Sequence, residues 1–178
     1  MKVLLKGLIL FTVFLPSTAL FAQTSKIISG STDFSVKFIM GTCNGTFDSP
    51  EGIAVFDEKK PSGSSFDVTI ASASFKTNID ARDNDMKSEK YFFVTKYPNI
   101  HFKSSKVEQK DGKYLATGNL TIRDVTKTVT LPFDAKKNAD GSYAISSTFD
   151  INRLDYKVGE KNWKLKDVVT VNLKAKIK

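Results

Sequence analysis

The sequence predicts an all-β chain closed into an eight-stranded antiparallel barrel, with one short helix near residues 81–93. Three observations carry that expectation. Apolar residues recur at every second position over most of the chain. Turn signals rich in Gly, Pro, Asp and Asn punctuate those runs. A single cysteine rules out an internal disulfide, so a domain of this length rests on its core rather than on staples.

The first 22 residues read as a different material. Lys2 and Lys6 precede an apolar run from Leu8 to Leu15, Pro16 and Ser17 break it, and Ala22 precedes Gln23. That order of charge, apolar run and small residue is a cleaved secretory signal peptide. The run is shorter than the roughly 20 residues of a membrane-spanning helix. Leu20 is an unusual residue three positions before the cut, and cleavage after Ala19 is the alternative. Residues 23–178 are then one domain of 156 residues with a net charge of +6 and a periplasmic or secreted destination.

The mature chain is read strand by strand. Phe34, Val36 and Phe38 share one face of "DFSVKFI", with Ser35 and Lys37 on the other. Phe66, Val68 and Ile70 do the same in "SFDVTI". Val129, Leu131 and Phe133 align in "TVTLPF", and Tyr143, Ile145, Ser147, Phe149 and Ile151 align in "YAISSTFDI". The last segment is the most regular: Val169, Val171, Leu173, Ala175 and Ile177 alternate with Thr170, Asn172, Lys174, Lys176 and Lys178. Such strands present one face to a core and one to water. "SPEG" (49–52), "KPSG" (60–63), "KDGK" (110–113) and "NADG" (138–141) separate the runs. Residues 81–93 lack alternation and are assigned one or two helical turns, with Asp80 and Asp83 as capping candidates. Residues 153–163 read as a long loop. A sheet of eight to ten strands tends to curl and close, because closure removes exposed edges. A two-sheet sandwich is the competing architecture.

Catalytic chemistry finds little to work with. His101 is the only histidine, and it stands between Ile100 and Phe102 in a predicted strand, which turns it outward if those two face in. Cys43 and His101 do not make a zinc site, and "DARDND" (80–85) lacks the spacing of a calcium loop. No catalytic residue, metal ligand or cofactor is assigned. Scattered lysines read as a solvated exterior, and the aromatics share the apolar face of their strands, so nucleic acid is not an expected partner. The apolar load stands out: 11 Phe remain after the signal peptide is removed. They either pack a solid core or line a cavity, and alternation alone does not separate the two. Cys43 is a small buried hydrophobe or an exposed thiol able to dimerise.

Four blocks carry a resemblance. "RDNDMKSEKYFFVTKYPNIHFKS", "YLATGNLTIRDVTKTVTLPF", "INRLDYKVGEKNW" and "VKFIMGTCNGTFDSPEGIAVFD" resemble, in order and spacing, the motifs of the YceI-like family. The resemblance covers nearly all of the mature chain. It implies an extended lipocalin-like antiparallel barrel, in exported bacterial proteins that hold isoprenoid or other long-chain amphiphiles in an elongated apolar cavity. Three departures stand out. Asp85 replaces the family's usual His, and Asp124 and Lys157 each replace a usual Gly at an expected turn, where a positive φ would be strained. If the family's His at that site touches a ligand head group, a carboxylate at 85 would disfavour a pyrophosphate head and favour a neutral or cationic one.

With that resemblance, the expected cavity wall is Phe38, Phe47, Phe75, Phe92, Phe93, Phe102, Leu120, Ile122, Phe133, Phe149, Val171 and Leu173. Arg82, Asp83 and Arg153 are the candidates for orienting a polar head, or alternatively for pinning the helix and loop to the barrel. The expected function is a non-catalytic binding or carrier protein for an isoprenoid-like or other long-chain lipid. A chain of roughly 30 carbons at ~0.8 kcal/mol per buried CH₂ would bind tightly even after ordering costs. Transient membrane contact, no nucleic acid, and a monomer or homodimer complete the expected partners. The alternatives are an enzyme acting on such a lipid through His101, or an interaction domain with a solid core.

Overall fold

The computed structural model of the protein describes residues 26–178. The expected signal peptide, residues 1–22, lies outside the described residues. The strands are β1 (Ile27–Phe38), β2 (Gly41–Phe47), β3 (Glu51–Val55), β4 (Ser65–Ala71), β5 (Asn99–Lys110), β6 (Lys113–Ile122), β7 (Val125–Lys137), β8 (Tyr143–Asn152) and β9 (Leu165–Ile177). One helix, α1 (Asp80–Lys87), lies between β4 and β5. Every neighbouring pair is antiparallel, in the order β2-β1-β9-β8-β7-β6-β5-β4-β3. The two edges return to each other, since Lys26 bridges Ile53 and Thr46 pairs with Lys76 through backbone bonds of 2.8 and 2.9 Å. The sheet is therefore a strongly curled barrel.

Among the described residues there are nine strands rather than eight. Pro50, fully buried and with no N–H to give to a ladder, stands in the expected "SPEG" turn between β2 and β3, which lie on opposite edges of the sheet.

Two local devices shape the barrel. In β5 the register shifts between Ser104 and Lys106. Ile100 and Phe102 face inward before that bulge, and Val107, 1% exposed, faces inward after it. Gly118 lies opposite Ser104, where a Cβ would stand 2.6 Å from the Ser104 Cα, so only glycine fits. In β7 the ladder changes partner. Val125–Phe133 pairs with β6, but only Asp134–Lys137 pairs with β8. Pro132 ends the second ladder because it cannot donate, and the Ser147 hydroxyl donates to the Pro132 carbonyl at 2.6 Å.

The cleft left between β7 and β8 is filled by the 3₁₀ turn Arg153–Tyr156 and the residues after it. Tyr156 and Val158, 2% and 6% exposed, pack with Leu120, Ile122, Val125 and Val129. Lys127 and Asp155 close that contact from outside at 2.9 Å.

α1 is shorter than residues 81–93 suggested, and it begins at Asp80 with Ile79 as its cap and no side-chain capping bond. Asp80 and Asp83 therefore do not cap it. The Asp83 carboxylate instead accepts bonds from the Thr77 backbone N–H (2.8 Å) and hydroxyl (2.5 Å), which ties the helix to the preceding chain.

Candidate ligand cavity

Buried apolar residues form two separate clusters rather than one. In one, Phe56, Phe66, Tyr114, Phe133, Ile145 and Ile177 pack together with their neighbours. In the other, Phe34, Phe75, Phe92, Leu120, Ile122 and Tyr156 do so. The aromatic rings within each cluster meet at centroid distances of 4.9 to 5.8 Å, within the range of favourable stacked and edge-to-face pairs.

Running along both clusters is a cavity of about 340 Å³. Val36, Phe149, Ile151, Val169, Val171 and Leu173 point into it, and all are only half-buried although they lie on the inner faces of their strands. A solid core would have buried them. The space is the surface they leave uncovered, and the question left open by the Phe count is decided in favour of a hollow interior. Polar residues on the wall are few, chiefly Thr32, Ser147, Arg82 and Arg153. Cys43, half-buried, also lines it.

Of the residues expected on the wall, Phe38, Phe47, Phe75, Phe92, Phe102, Leu120, Ile122, Phe133, Phe149, Val171 and Leu173 are there. Phe93 is not. The turn after α1 closes with the Phe93 N–H on the Ser88 carbonyl at 2.9 Å, and Phe93 takes a left-handed φ of 48°. That geometry sends Phe92 inward against Phe47 and Phe75, while Phe93 packs outside against Tyr97 and beneath the Lys96 ammonium.

The head-group candidates separate. Arg82 lines the cavity; its Nε donates to the Thr77 hydroxyl at 2.8 Å, and its two amino groups have no partner among the described residues. Asp83 is not on the wall, because its carboxylate is spent on Thr77. Those Thr77 bonds hold its pKa below the ordinary carboxylate value. Arg153 lines the cavity but is 5% exposed, and it donates to the carbonyls of Val158 (3.0 Å), Glu160 (3.0 Å) and Lys166 (3.2 Å) and to Asp167 (3.1 Å). That uses four of the five N–H groups of a guanidinium, so Arg153 acts as the pin of the loop after β8. Asp85 is exposed and absent from the wall, since the helical period puts Arg82 and Met86 inward and Asp85 a third of a turn away. The charge argument about its head-group preference therefore has no contact to act through.

His101 lies on the outer wall, opposite in direction to Ile100 and Phe102, with Nε2 at 2.7 Å from Asp67 Oδ1. Lys103 reaches the other oxygen of the same carboxylate at 2.8 Å.

Several wall residues were legible and unnamed in the sequence. Ile70, Ile100 and Val169 follow from alternation, and Cys43 shares its face with Phe47. Tyr156, Val158 and Tyr91 gave no periodic signal, because they stand on a 3₁₀ turn and loops. Burial and the neighbouring Asp155 raise the Tyr156 hydroxyl pKa above that of a free tyrosine.

Comparison with known proteins adds the family. A model described as a YceI-like domain matches residues 22–177. The chain belongs to the YceI-like family. It is 42% identical over 87 residues to a UPF0312 protein of Photorhabdus laumondii and 41% identical over 87 residues to protein YceI of Salmonella arizonae, about half of this chain in each case. The chain spans about half the length of these curated relatives, 45% and 46%. Among solved structures it is similar to BcnA of Burkholderia cenocepacia, with a TM-score of 0.78 at 25% identity over 83% of this chain and 95% of that one. The YceI protein of Campylobacter jejuni gives a TM-score of 0.67 at 30% identity, covering 75% of this chain and 83% of that one. A polyisoprenoid-binding domain from Saccharophagus degradans gives 0.67 at 11% identity, covering 87% and 98%, and so shares the YceI-like fold.

Proposed function

We propose that the protein is an exported, non-catalytic binding or carrier protein for an isoprenoid-like or other long-chain lipid. The observation that carries the reading is the hollow apolar interior, about 340 Å³, walled by inner-face residues that no side chain covers. The volume falls in the usual range of ligand sites. A solved relative in fold is described as polyisoprenoid-binding, which supports the ligand class. Binding would be driven by burial of chain, at ~0.8 kcal/mol per CH₂.

The volume also scales the ligand. A cavity of about 150 Å³ holds benzene, so this one holds roughly 14 carbons at the same density. A chain of 30 carbons would project through the mouth. The enzyme alternative loses its only histidine to the outer wall, where His101 faces Asp67 rather than the cavity.

Native mass spectrometry of protein purified from its source tests the reading, followed by titration with prenyl alcohols of graded length. A bound lipid mass, or uptake that strengthens up to about three isoprene units and then levels, is the expected result. Apo mass alone with no uptake overturns it.

A further inference from the structure

Phe38 lines the cavity and is 37% exposed, so the cavity opens to solvent there, and that mouth lies beside an apolar surface that no part of the described chain covers. Phe38 of β1 and Leu165 of β9 are cross-strand partners and both line the cavity. Just beyond them, the strands continue into two exposed segments held side by side, with the Ile39 N–H donating to the Lys164 carbonyl at 3.0 Å. One segment is the β1–β2 turn, where Ile39 is 55% and Met40 88% exposed; the other presents Trp163, 79% exposed. These are among the most exposed large apolar side chains in the described structure, and three of them sit together at one edge of the mouth.

The charge around them has one sign. Lys37, Lys161, Lys164 and Lys166 are exposed and none is in an ion pair among the described residues. Within residues 37–42 and 160–166 the only carboxylate is Glu160. The Lys164 ammonium lies 5.5 Å from the Trp163 ring centre. Protruding apolar side chains ringed by lysines, with an amphipathic indole among them, fit the boundary between anionic head groups and acyl chains. A folded protein partner would be matched by a broader, flatter patch than one turn tip and one indole.

We propose that the Ile39–Met40 turn and Trp163 form a docking face for an anionic lipid bilayer, which sets the cavity mouth against the membrane. The inference rests on the cavity being a lipid site, and it names where that lipid enters and leaves. Phe38 then continues the acyl layer directly into the cavity wall.

Trp163 is the only tryptophan in the chain, so its emission reports the contact. The protein is mixed with phosphatidylcholine vesicles carrying about 30% phosphatidylglycerol, and with pure phosphatidylcholine vesicles. The expected results are co-sedimentation with the anionic vesicles, a blue shift of Trp163 emission, and quenching by lipids spin-labelled near the head group. Met40→Asp, at a site too exposed to affect folding, is expected to weaken partitioning about tenfold or more. Replacing each lysine by Gln costs about fivefold. Co-sedimentation without a Trp163 shift overturns the proposal. So does self-association that Met40→Asp abolishes while vesicles are ignored, which would make the patch a protein interface. Lipid uptake from cyclodextrin, with no membrane present, separates the two readings. Uptake without vesicle binding sinks the docking face alone, whereas vesicle binding without uptake sinks the lipid site and leaves the docking face standing.

Discussion

Lys157 Nζ lies 2.9 Å from Asp124 Oδ2, joining the β6–β7 hairpin to the turn after β8. The two residues stand where the YceI-like motifs usually carry glycine, so the two departures meet each other in space. Lys157 takes the left-handed conformation that glycine would have taken freely, with φ at 56°. In the hairpin the left-handed residue is Arg123 (φ 57°), one position before Asp124, so the strain expected at Asp124 falls on its neighbour. Asp124→Asn is expected to lower Tm slightly at low salt, and the difference should vanish near 1 M salt, where screening reaches about 3 Å. Thermal melts of both proteins across a salt series check this, and a salt-independent difference would refute the pairing.

The hollow interior makes filling it informative. Val171→Phe places a ring in the cavity and displaces about three methylenes of ligand, a loss of ~2.4 kcal/mol or roughly 50-fold in Kd. Ligand-free Tm is expected to rise, as cavity filling commonly adds about 0.5–2 kcal/mol. Weaker lipid binding together with a lower Tm would mean the site was already packed.

Cys43 is the only cysteine and lies on the cavity wall, which makes it a reporter. Its reaction with a thiol reagent is expected to slow when a prenyl lipid is bound and to recover when the lipid is stripped. Equal rates in both states would place the lipid elsewhere.

Tyr156 closes the cleft left where β7 parts from β8, at 2% exposure. Tyr156→Ala is expected to cost about 3–5 kcal/mol, in line with other buried aromatic truncations. Tyr156→Phe should be near neutral, because the ring is held by apolar packing and its hydroxyl has no hydrogen-bond partner among the described residues. Chemical denaturation of the two variants measures the contrast.

The carboxylate of Asp67 is held below its unfolded value of 3.8, first by the His101 hydrogen bond and then by Lys103. Asp83, Asp124 and Asp140 are lowered in the same direction by Thr77, Lys157 and Lys176 respectively. A carboxyl with a depressed folded pKa contributes stability that is fully present above its unfolded pKa and is lost as pH falls toward the folded one. Tm is therefore expected to drop as pH falls below about 4. The gap between the parent and Asp67→Asn should narrow over the same window. A gap that widens on acidification would show the sign to be wrong.

Particular residues show what the chain reveals by itself. The alternation of Val169, Val171, Leu173, Ala175 and Ile177 is local, and all five line the cavity. The same reading placed Ile100 and Phe102 inside and His101 outside, as the structure has them. Phe93, expected on the wall although its segment has no alternation, is turned off it by a left-handed φ, and Asp85, singled out from the motif alone, stands exposed and off the wall. Tyr156 was invisible because it stands on a turn with no period of its own, and the cleft it fills exists only once β7 has parted from β8 beyond Pro132.

The sequence by itself determined the strands, the face each turns inward, and the family, since all three are written in period-two patterning and local motifs. Only the tertiary structure decided that the inward faces do not meet. The distance between opposite walls depends on how nine strands curl and where the bulge and the prolines bend them. That sum over the whole barrel leaves a cavity where the same Phe-rich faces, drawn closer, would have made a solid core.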